Sequence, residues 1–365
     1  MRHLANPHRG RGLPRQEGLA TGRVVADPTD AQALYARCPV AAATPLVPAP
    51  DLAGAIGVGQ LWLKDERQRM GLGSFKALGA SHAIARLAAR AVDAPGEPAD
   101  QATMSTALAG TTFVCASAGN HGLSVAAGAP VFGASAVIHL ARTVPEAFVD
   151  RLRARGARVV RSGDDYEAAM AAAMADAEAH GWTLLSDSSW PGYVELPTLV
   201  MEGYLIMAAE VADAIEEPPT HVVLQCGVGG LAAAVTALVR DRWGDGPTVV
   251  VVEPAAAPAL LESVAAGRPV AAPGPVSSMG RLDCKEPSHL ALAALARDAD
   301  HFVTITDERC DETVAVLDEH GMATTPSGAA GVAGVHHAGS HREALGLSEG
   351  SRVLAFVTEG PEGES

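Results

Sequence analysis

The chain has 365 residues, of which 48% are hydrophobic and 19% charged, and its formal net charge is −15. This composition excludes a disordered chain, and the length suits two domains of ~100–200 residues each. The negative charge argues against a nucleic-acid partner, because such binding needs clustered lysine and arginine to displace counterions.

Cysteine usage and the lengths of apolar runs bear on location. Five cysteines are widely spaced, without a C-x-x-C pair. This pattern predicts reduced intracellular thiols and no disulfide framework, and no His/Cys/Asp spacing suggests a metal. No secretory signal is evident, and no run approaches the ~18 apolar residues of a membrane span. We therefore expect a cytoplasmic protein with no membrane partner.

Residues 1–34 are rich in Arg, Pro and Gly and show no steady hydrophobic period. Such a segment predicts an N-terminal arm, or a poorly ordered lead-in to the first domain.

Lys76 lies between a predicted strand at 61–64 and a predicted helix that runs to Val92, and its neighbours are small and apolar. Burial disfavours the ammonium form, so the pattern favours a neutral, nucleophilic amine. Such an amine can form an imine with a carbonyl cofactor such as pyridoxal phosphate. The alternative is a lysine whose stem covers apolar surface while its head reaches water.

Short apolar runs then alternate with helical segments. Strands are predicted at 112–116, 135–140, 157–160 and 183–185, and helices from 120, at 145–155 and at 164–180. After a long helix at 193–213, a second series has strands at 221–225, 248–252, 301–306 and 352–357. This rhythm implies parallel sheets with right-handed crossovers.

The predicted fold class is therefore α/β, with two domains that each hold a mainly parallel sheet flanked by helices. The small domain is residues 79–189. It is inserted into a large, cofactor-binding domain that comprises 35–78 and 190–365.

The turn at 116–122 joins a predicted strand to a predicted helix. Its successive N–H groups are suited to a carboxylate, and Asn120 to donating to a phenolate-type oxygen. The alternative for Asn120 is a plain helix N-cap. The expected substrate contacts in this turn are Ser117, Ala118, Gly119 and His121. For His121, the local pattern itself favours a structural role.

Two later turns complete the candidate cofactor site. The first follows the 221–225 strand and opens a helix, and its backbone N–H groups suit a phosphate. Its predicted cofactor contacts are Gly227, Val228, Gly229, Gly230 and Leu231. A glycine turn that serves only packing is the alternative. In the second turn, Ser327 carries a hydroxyl that suits an unprotonated ring nitrogen.

In this order, these motifs resemble those of the fold-type II pyridoxal-phosphate enzymes, the tryptophan-synthase-β and threonine-dehydratase group. Ser74-Phe75-Lys76 looks like the Schiff-base lysine motif of that group. The resemblance implies that Lys76, Asn120, the 227–231 turn and Ser327 bind pyridoxal 5'-phosphate. It also implies a homodimer.

Within that group, further segments resemble diaminopropionate ammonia-lyase. They are Lys64-Asp65-Glu66, Arg69 to Leu72, Asp187 to Tyr193, Met201 to Tyr204, Cys284 to Pro287 and Thr358 to Gly360. One position departs from that family, which usually carries an aspartate where this chain has Ala118. Here the turn looks like that of threonine and serine dehydratases, and the departure bears on the use of both substrate stereoisomers.

The resemblance implies a carbon–nitrogen lyase that converts 2,3-diaminopropionate, a small amino acid, to pyruvate and ammonia by α,β-elimination. Lys76 would hold the cofactor and take the Cα proton, and Asp187 would face the β-ammonium group beside Tyr193. A helix-capping role is the alternative for Asp187. Two alternative activities are a dehydratase for serine- or threonine-type hydroxyamino acids and a β-replacement synthase.

Overall fold

The computed structural model describes residues 1–15, 18–20, 22–93 and 98–361. The strands are β1 (His3–Ala5), β2 (Leu46–Pro48), β3 (Gln60–Asp65), β4 (Thr112–Ala116), β5 (Ser135–Leu140), β6 (Arg158–Arg161), β7 (Thr183–Leu184), β8 (His221–Gln225), β9 (Thr248–Pro254), β10 (His301–Ile305) and β11 (Arg352–Val357).

The helices are α1 (Thr29–Tyr35), α2 (Pro50–Ile56), α3 (Lys76–Val92), α4 (Gln101–Met104), α5 (Asn120–Val131), α6 (Glu146–Arg153), α7 (Tyr166–His180), α8 (Glu195–Ala214), α9 (Gly230–Trp243), α10 (Ala259–Ala266), α11 (His289–Asp298), α12 (Asp307–Glu319) and α13 (Pro326–His336). In the described part of the chain, no helix is long and apolar enough to cross a bilayer.

The strands form two sheets. A seven-stranded sheet has the order β1-β10-β9-β8-β11-β3-β2, and a four-stranded sheet has the order β6-β5-β4-β7. All pairings are parallel except those of the two edge strands of the larger sheet, β1 and β2. The central strands are continuous apolar runs, as expected for sheets covered on both faces. The predicted α/β fold class is confirmed.

The smaller sheet is built entirely from strands within the segment predicted as the inserted domain, and the larger sheet from strands on either side of it. In open parallel sheets, ligands bind in the crevice beyond the carboxyl ends of the strands. The segments that follow β3, β4, β7 and β8 all carry candidate site residues. The topology therefore directs these residues to one crevice.

The N-terminal segment differs from the expected arm. Strand β1 extends the larger sheet by antiparallel pairing with β10. The Asn6 side chain donates to the carbonyls of Ala296 and Ala299, at 2.9 and 2.6 Å, where α11 ends. The expectation of a poorly ordered lead-in is wrong for these residues. Their hydrogen-bond partners lie some three hundred positions away along the chain, so the local sequence carries no periodic pattern that would reveal them. Residues 16, 17 and 21, which also belong to the predicted arm, lie outside the described residues.

Helix α3, which begins with Lys76, packs closely against α8. A Cβ at Gly79 would lie 2.6 Å from the Tyr204 ring, and one at Gly203 would lie 2.4 Å from the carbonyl oxygen of Leu78. Any larger side chain at either glycine would separate the two helices. This close approach fixes the start of α3, and with it the lysine.

A buried ionic cluster holds the segment that leads into α3. The Arg69 guanidinium, fully buried, contacts Glu66 at 2.7 Å and Glu210 of α8 at 2.6 Å, and Lys64 contacts Glu210 at 2.5 Å. Because removing one partner of a buried pair leaves an uncompensated charge, costing about 3–5 kcal/mol, the cluster resists rearrangement. It links the end of β3 to α8 and limits movement of the loop that carries the lysine.

Candidate active site

Lys76 is the first residue of α3, and its loop is hydrogen-bonded to the end of β11. The Phe75 N–H donates to the carbonyl of Thr358 at 3.0 Å, and the Gly360 N–H donates to that of Gly73 at 3.0 Å. The Lys76 amine lies over the rings of Phe75 and Tyr204, 5.3 and 5.7 Å from their centroids. The amine is thus held between two aromatic rings.

Asp187 is the ion-pair partner of Lys76, and about one-fifth of each side chain is exposed. Burial by itself lowers the pKa of Lys76, but the Asp187 carboxylate reverses this and raises it well above its usual range. The same pair holds the pKa of Asp187 well below its usual range, against the effect of burial. The Asp187 carboxylate, 111 positions away along the chain, therefore favours the ammonium form of Lys76, whereas the local sequence pattern favoured a neutral amine.

Tyr193 holds the turn that carries Asp187. Its hydroxyl donates to the carbonyl of Leu184 at 2.8 Å and accepts from the N–H of Ser186 at 3.0 Å. Its ring stacks on Trp190, with centroids 4.4 Å apart. The hydroxyl hydrogen and one acceptor site are therefore used on the backbone next to Asp187, which holds that turn in place.

The turn after β4 opens α5, with Gly119 as the N-cap residue and no side-chain cap. Asn120 is the first helical residue, and its side-chain amide donates to Glu359. Asn120 is therefore not the helix cap that was one alternative. Ser117, Gly119 and Asn120 are half-buried, whereas the Ala118 methyl is exposed.

His121 lies behind this turn, fully buried. Its Nε2–H donates to the carbonyl of Leu185 at 2.8 Å, and burial lowers the pKa of the ring. The ring is thus neutral, with an acceptor nitrogen at Nδ1. Its contact with the strand that leads to Asp187 agrees with the structural role favoured by the local pattern.

The glycine turn after β8 opens α9, and no described side chain caps this helix. Gly229 has a φ of +107°, and a Cβ there would lie 2.7 Å from the Cβ of Ala291. A Cβ at Gly227 would lie 3.2 Å from the Cys284 sulfur. An uncapped helix terminus behind a tight glycine turn presents N–H groups and a positive dipole, as a phosphate requires.

Ser327 lies in the first turn of α13 and is 3% exposed. Its hydroxyl accepts from the backbone N–H of Arg281 at 3.1 Å. The hydroxyl hydrogen is then left to donate in another direction, which suits an unprotonated ring nitrogen.

Buried polar atoms near Lys76 supply a test of whether a polar ligand fits. The Ser74 hydroxyl and the Nδ1 of His121 are buried without a hydrogen-bond partner among the described residues. Unsatisfied buried polar atoms are rare in native proteins and require an explanation. A phosphorylated pyridine aldehyde, with its substrate, supplies polar partners at this position, so the residues fit that cofactor.

Three residues of the site, Tyr204, Cys284 and Glu359, were not predicted from the sequence, although each lies in a segment that was noted. Burial raises the pKa of Tyr204 to about 12 and that of Cys284 to about 12, so both groups remain protonated. The electrostatic contacts of both with Lys76 and Asp187 place them in the site. These three residues lie far along the chain from the motifs, so the sequence indicated them only through the resemblance of their segments to diaminopropionate ammonia-lyase.

A crevice with a lysine amine, a glycine turn that no described side chain caps and a buried serine hydroxyl suits pyridoxal phosphate, and comparison with known proteins agrees. Residues 39–359 match the family described as pyridoxal-phosphate dependent enzyme. The chain belongs to this family, and its cofactor is pyridoxal phosphate.

Among relatives, diaminopropionate ammonia-lyase of Escherichia coli K12 is 32% identical over 339 residues, which cover 87% of this chain and 84% of that protein. A probable D-serine dehydratase of Acidovorax sp. JS42 is 31% identical over 373 residues, covering 90% and 82%. The crystal structure of the E. coli ammonia-lyase with an aminoacrylate–pyridoxal-phosphate azomethine intermediate has a TM-score of 0.85 at 28% identity, covering 98% and 93%.

Proposed function

We propose that this enzyme converts 2,3-diaminopropionate and water to pyruvate and two ammonia by α,β-elimination. The observation that carries the proposal is the Asp187 carboxylate, ionised and in contact with the Lys76 amine. A substrate with a β-ammonium group presents a cation where the protein provides that carboxylate. The similarity to diaminopropionate ammonia-lyase over most of both chains supports the same substrate.

Each site residue has a proposed role. When bound, pyridoxal phosphate supplies the conjugated system that accepts the electrons of the substrate Cα–H bond. Asp187 binds the β-ammonium group, which keeps its hydrogens and leaves as ammonia with the electron pair of the Cβ–N bond. Lys76 Nζ, no longer paired with Asp187, takes the proton from Cα. The N–H groups of the turn from Ser117 to Gly119 bind the substrate carboxylate.

The cofactor contacts follow from the turns described above. The N–H groups from Gly227 to Leu231 hold the phosphate, the Asn120 amide donates to the phenolate oxygen, and the Ser327 hydroxyl donates to the ring nitrogen. Tyr193 acts on the reaction by holding the Asp187 turn. Its hydroxyl bonds to Leu184 and Ser186 support that assignment over direct substrate contact.

A second candidate is a dehydratase for serine-type hydroxyamino acids. It is favoured by Ala118, whose methyl group brings no charge to the turn that precedes Asn120. The similarity to a probable D-serine dehydratase is of comparable extent along the chain. A neutral β-hydroxyl has less need of the Asp187 carboxylate, which is why the diamino acid is preferred.

The two candidates are separated by a substrate panel. Initial rates of 2-oxo acid and ammonia release are measured for both isomers of diaminopropionate, serine, threonine and 3-hydroxyaspartate. We expect the highest kcat/KM for one isomer of diaminopropionate. Turnover of hydroxyamino acids alone would contradict the proposal, and product formation that requires an added thiol or amine would indicate a β-replacement synthase.

We further propose that the enzyme is a cytoplasmic homodimer. The cysteines are all free thiols among the described residues, which supports a reducing compartment. The dimer is carried by family resemblance, and sedimentation velocity tests it directly.

A further inference from the structure

The Glu359 carboxylate lies just beyond β11, 4% exposed, between the turn that carries Asn120 and the turn that carries Ser327. One oxygen accepts from the side-chain amide of Asn120. The other accepts from the hydroxyl of Thr325, which caps α13, and lies 3.2 Å from the Arg281 guanidinium. This one side chain joins the asparagine turn of the smaller sheet to the turn that carries Ser327.

The backbone around Glu359 is held as firmly as its side chain. The backbone carbonyl of Glu359 accepts from the Thr324 hydroxyl at 2.5 Å, and Glu359 pairs with Ser74 in an isolated antiparallel β-bridge. The next residue, Gly360, donates to Gly73 at 3.0 Å. Because Lys76 is two residues from Ser74, these contacts fix the position of the carboxylate relative to the Lys76 loop.

A carboxylate at this position decides which way the Asn120 amide points. An amide group presents donors on one side and an acceptor on the other, and its two orientations are similar in shape. Both carboxylate oxygens accept hydrogen bonds, and one lies 3.2 Å from the Arg281 guanidinium, so the Asn120 nitrogen must face the carboxylate. One of the two amide hydrogens is thereby used, and the second is directed away from Glu359.

We propose that Glu359 is a positioning residue that orients Asn120 so that its second amide hydrogen meets the phenolate oxygen of bound pyridoxal phosphate. The same carboxylate ties this orientation to the Ser327 turn through Thr325. The inference rests on the proposed contact between Asn120 and the cofactor. It is independent of which amino acid the enzyme consumes.

Two mechanisms by which Glu359 could affect the cofactor have opposite signs. A donor on the phenolate oxygen competes for the proton shared between that oxygen and Lys76 Nζ. Losing the donor therefore raises the pH at which the visible band of the cofactor titrates. Removing a nearby negative charge by itself disfavours the protonated form and lowers that pH. The sign of the shift distinguishes positioning from a direct field effect.

The test is a double-mutant cycle on the enzyme loaded with cofactor. Glu359→Met keeps the side-chain length and removes the acceptor, and it is made alone and together with Asn120→Ala. We expect the single substitution to raise the titration midpoint by about one pH unit, and to shift it little in the Asn120→Ala background. Thr313→Val, which removes a buried hydroxyl that donates to the Arg309 carbonyl on α12, is the control and should leave the midpoint unchanged.

The rate of cofactor release after dilution is a second readout. We expect the visible band to be lost about 5–10-fold faster in Glu359→Met. In the Asn120→Ala background, Glu359→Met should not increase the release rate further. Glu359→Ala takes its place if the methionine variant does not fold. Shifts of equal size in both backgrounds, a lowered midpoint, or no change in either quantity would overturn the proposal. These spectra need no substrate, so failure of the proposed reaction leaves their outcome unaffected.

Discussion

Replacing Asp187 with asparagine removes one charge from the site and keeps the shape of the side chain. The asparagine amide can still accept one hydrogen bond from Lys76, so the turn held by Tyr193 should keep its position. What is lost is the carboxylate that we propose meets a β-ammonium group. Asp187→Asn should therefore act on the choice of substrate more than on the fold.

The size of the effect follows from the burial of the pair. A hydrogen bond to an ionised group is worth about 1.5–3 kcal/mol. Because the Asp187 side chain is only 20% exposed, screening by water is limited and the upper part of that range applies. About 2–3 kcal/mol corresponds to a loss of roughly 30- to 150-fold in kcat/KM for diaminopropionate. Serine, whose β-hydroxyl is neutral, should lose less, about 2- to 10-fold in kcat/KM.

The assay measures kcat/KM for diaminopropionate and serine at matched cofactor occupancy, which is set from the visible absorbance. Asp283→Asn is the control, since it removes a comparably buried aspartate that pairs with Lys285. The control should leave the ratio of the two kcat/KM values unchanged. Equal losses on both substrates in Asp187→Asn would refute the reasoning, because the carboxylate would then not meet the β-amino group.

Three further substitutions test the site. Lys76→Ala should abolish the visible band formed with pyridoxal phosphate, whereas Lys285→Ala should retain it in the same titration. Gly229→Ala should lower the free energy of unfolding by about 2–4 kcal/mol in urea titrations, since its φ of +107° and the nearby Ala291 oppose a side chain. Gly230→Ala, with 3.5 Å of clearance, is its control. Tyr193→Phe should lower the free energy of unfolding, measured without substrate, by about 1–3 kcal/mol. An unchanged free energy of unfolding would instead support a substrate-binding role for Tyr193.

Local pattern was sufficient for strands β3 to β11 and for the turns that carry the candidate site, but not for the edge strands β1 and β2. Lys76 and Asn120 were placed where a strand gives way to a helix, and each is the first residue of its helix. Strand, turn and helix signals lie within about ten residues of one another, so hydrophobic period and glycine positions predict them without tertiary information. The parallel sheets then bring those turns to one edge.

Contacts between distant segments were beyond such reasoning. Lys76 and Asp187 are 111 positions apart, and Asn120 and Glu359 are 239 apart. The first pair reverses the expected protonation of the lysine, and the second gives Glu359 a place in the site that its segment did not reveal. Tyr193 was predicted as a substrate contact, and only the structure shows that its hydroxyl bonds to the backbone of Leu184 and Ser186.

The ratio of ammonia to pyruvate released from diaminopropionate by the enzyme with its cofactor is the most direct test of the central claim. Elimination of the β-amino group followed by hydrolysis of the remaining imine nitrogen releases both nitrogens of the substrate. The account predicts two ammonia for each pyruvate, with the release of both abolished in Lys76→Ala. One ammonia per pyruvate, or no pyruvate from either isomer while serine is consumed, would contradict it.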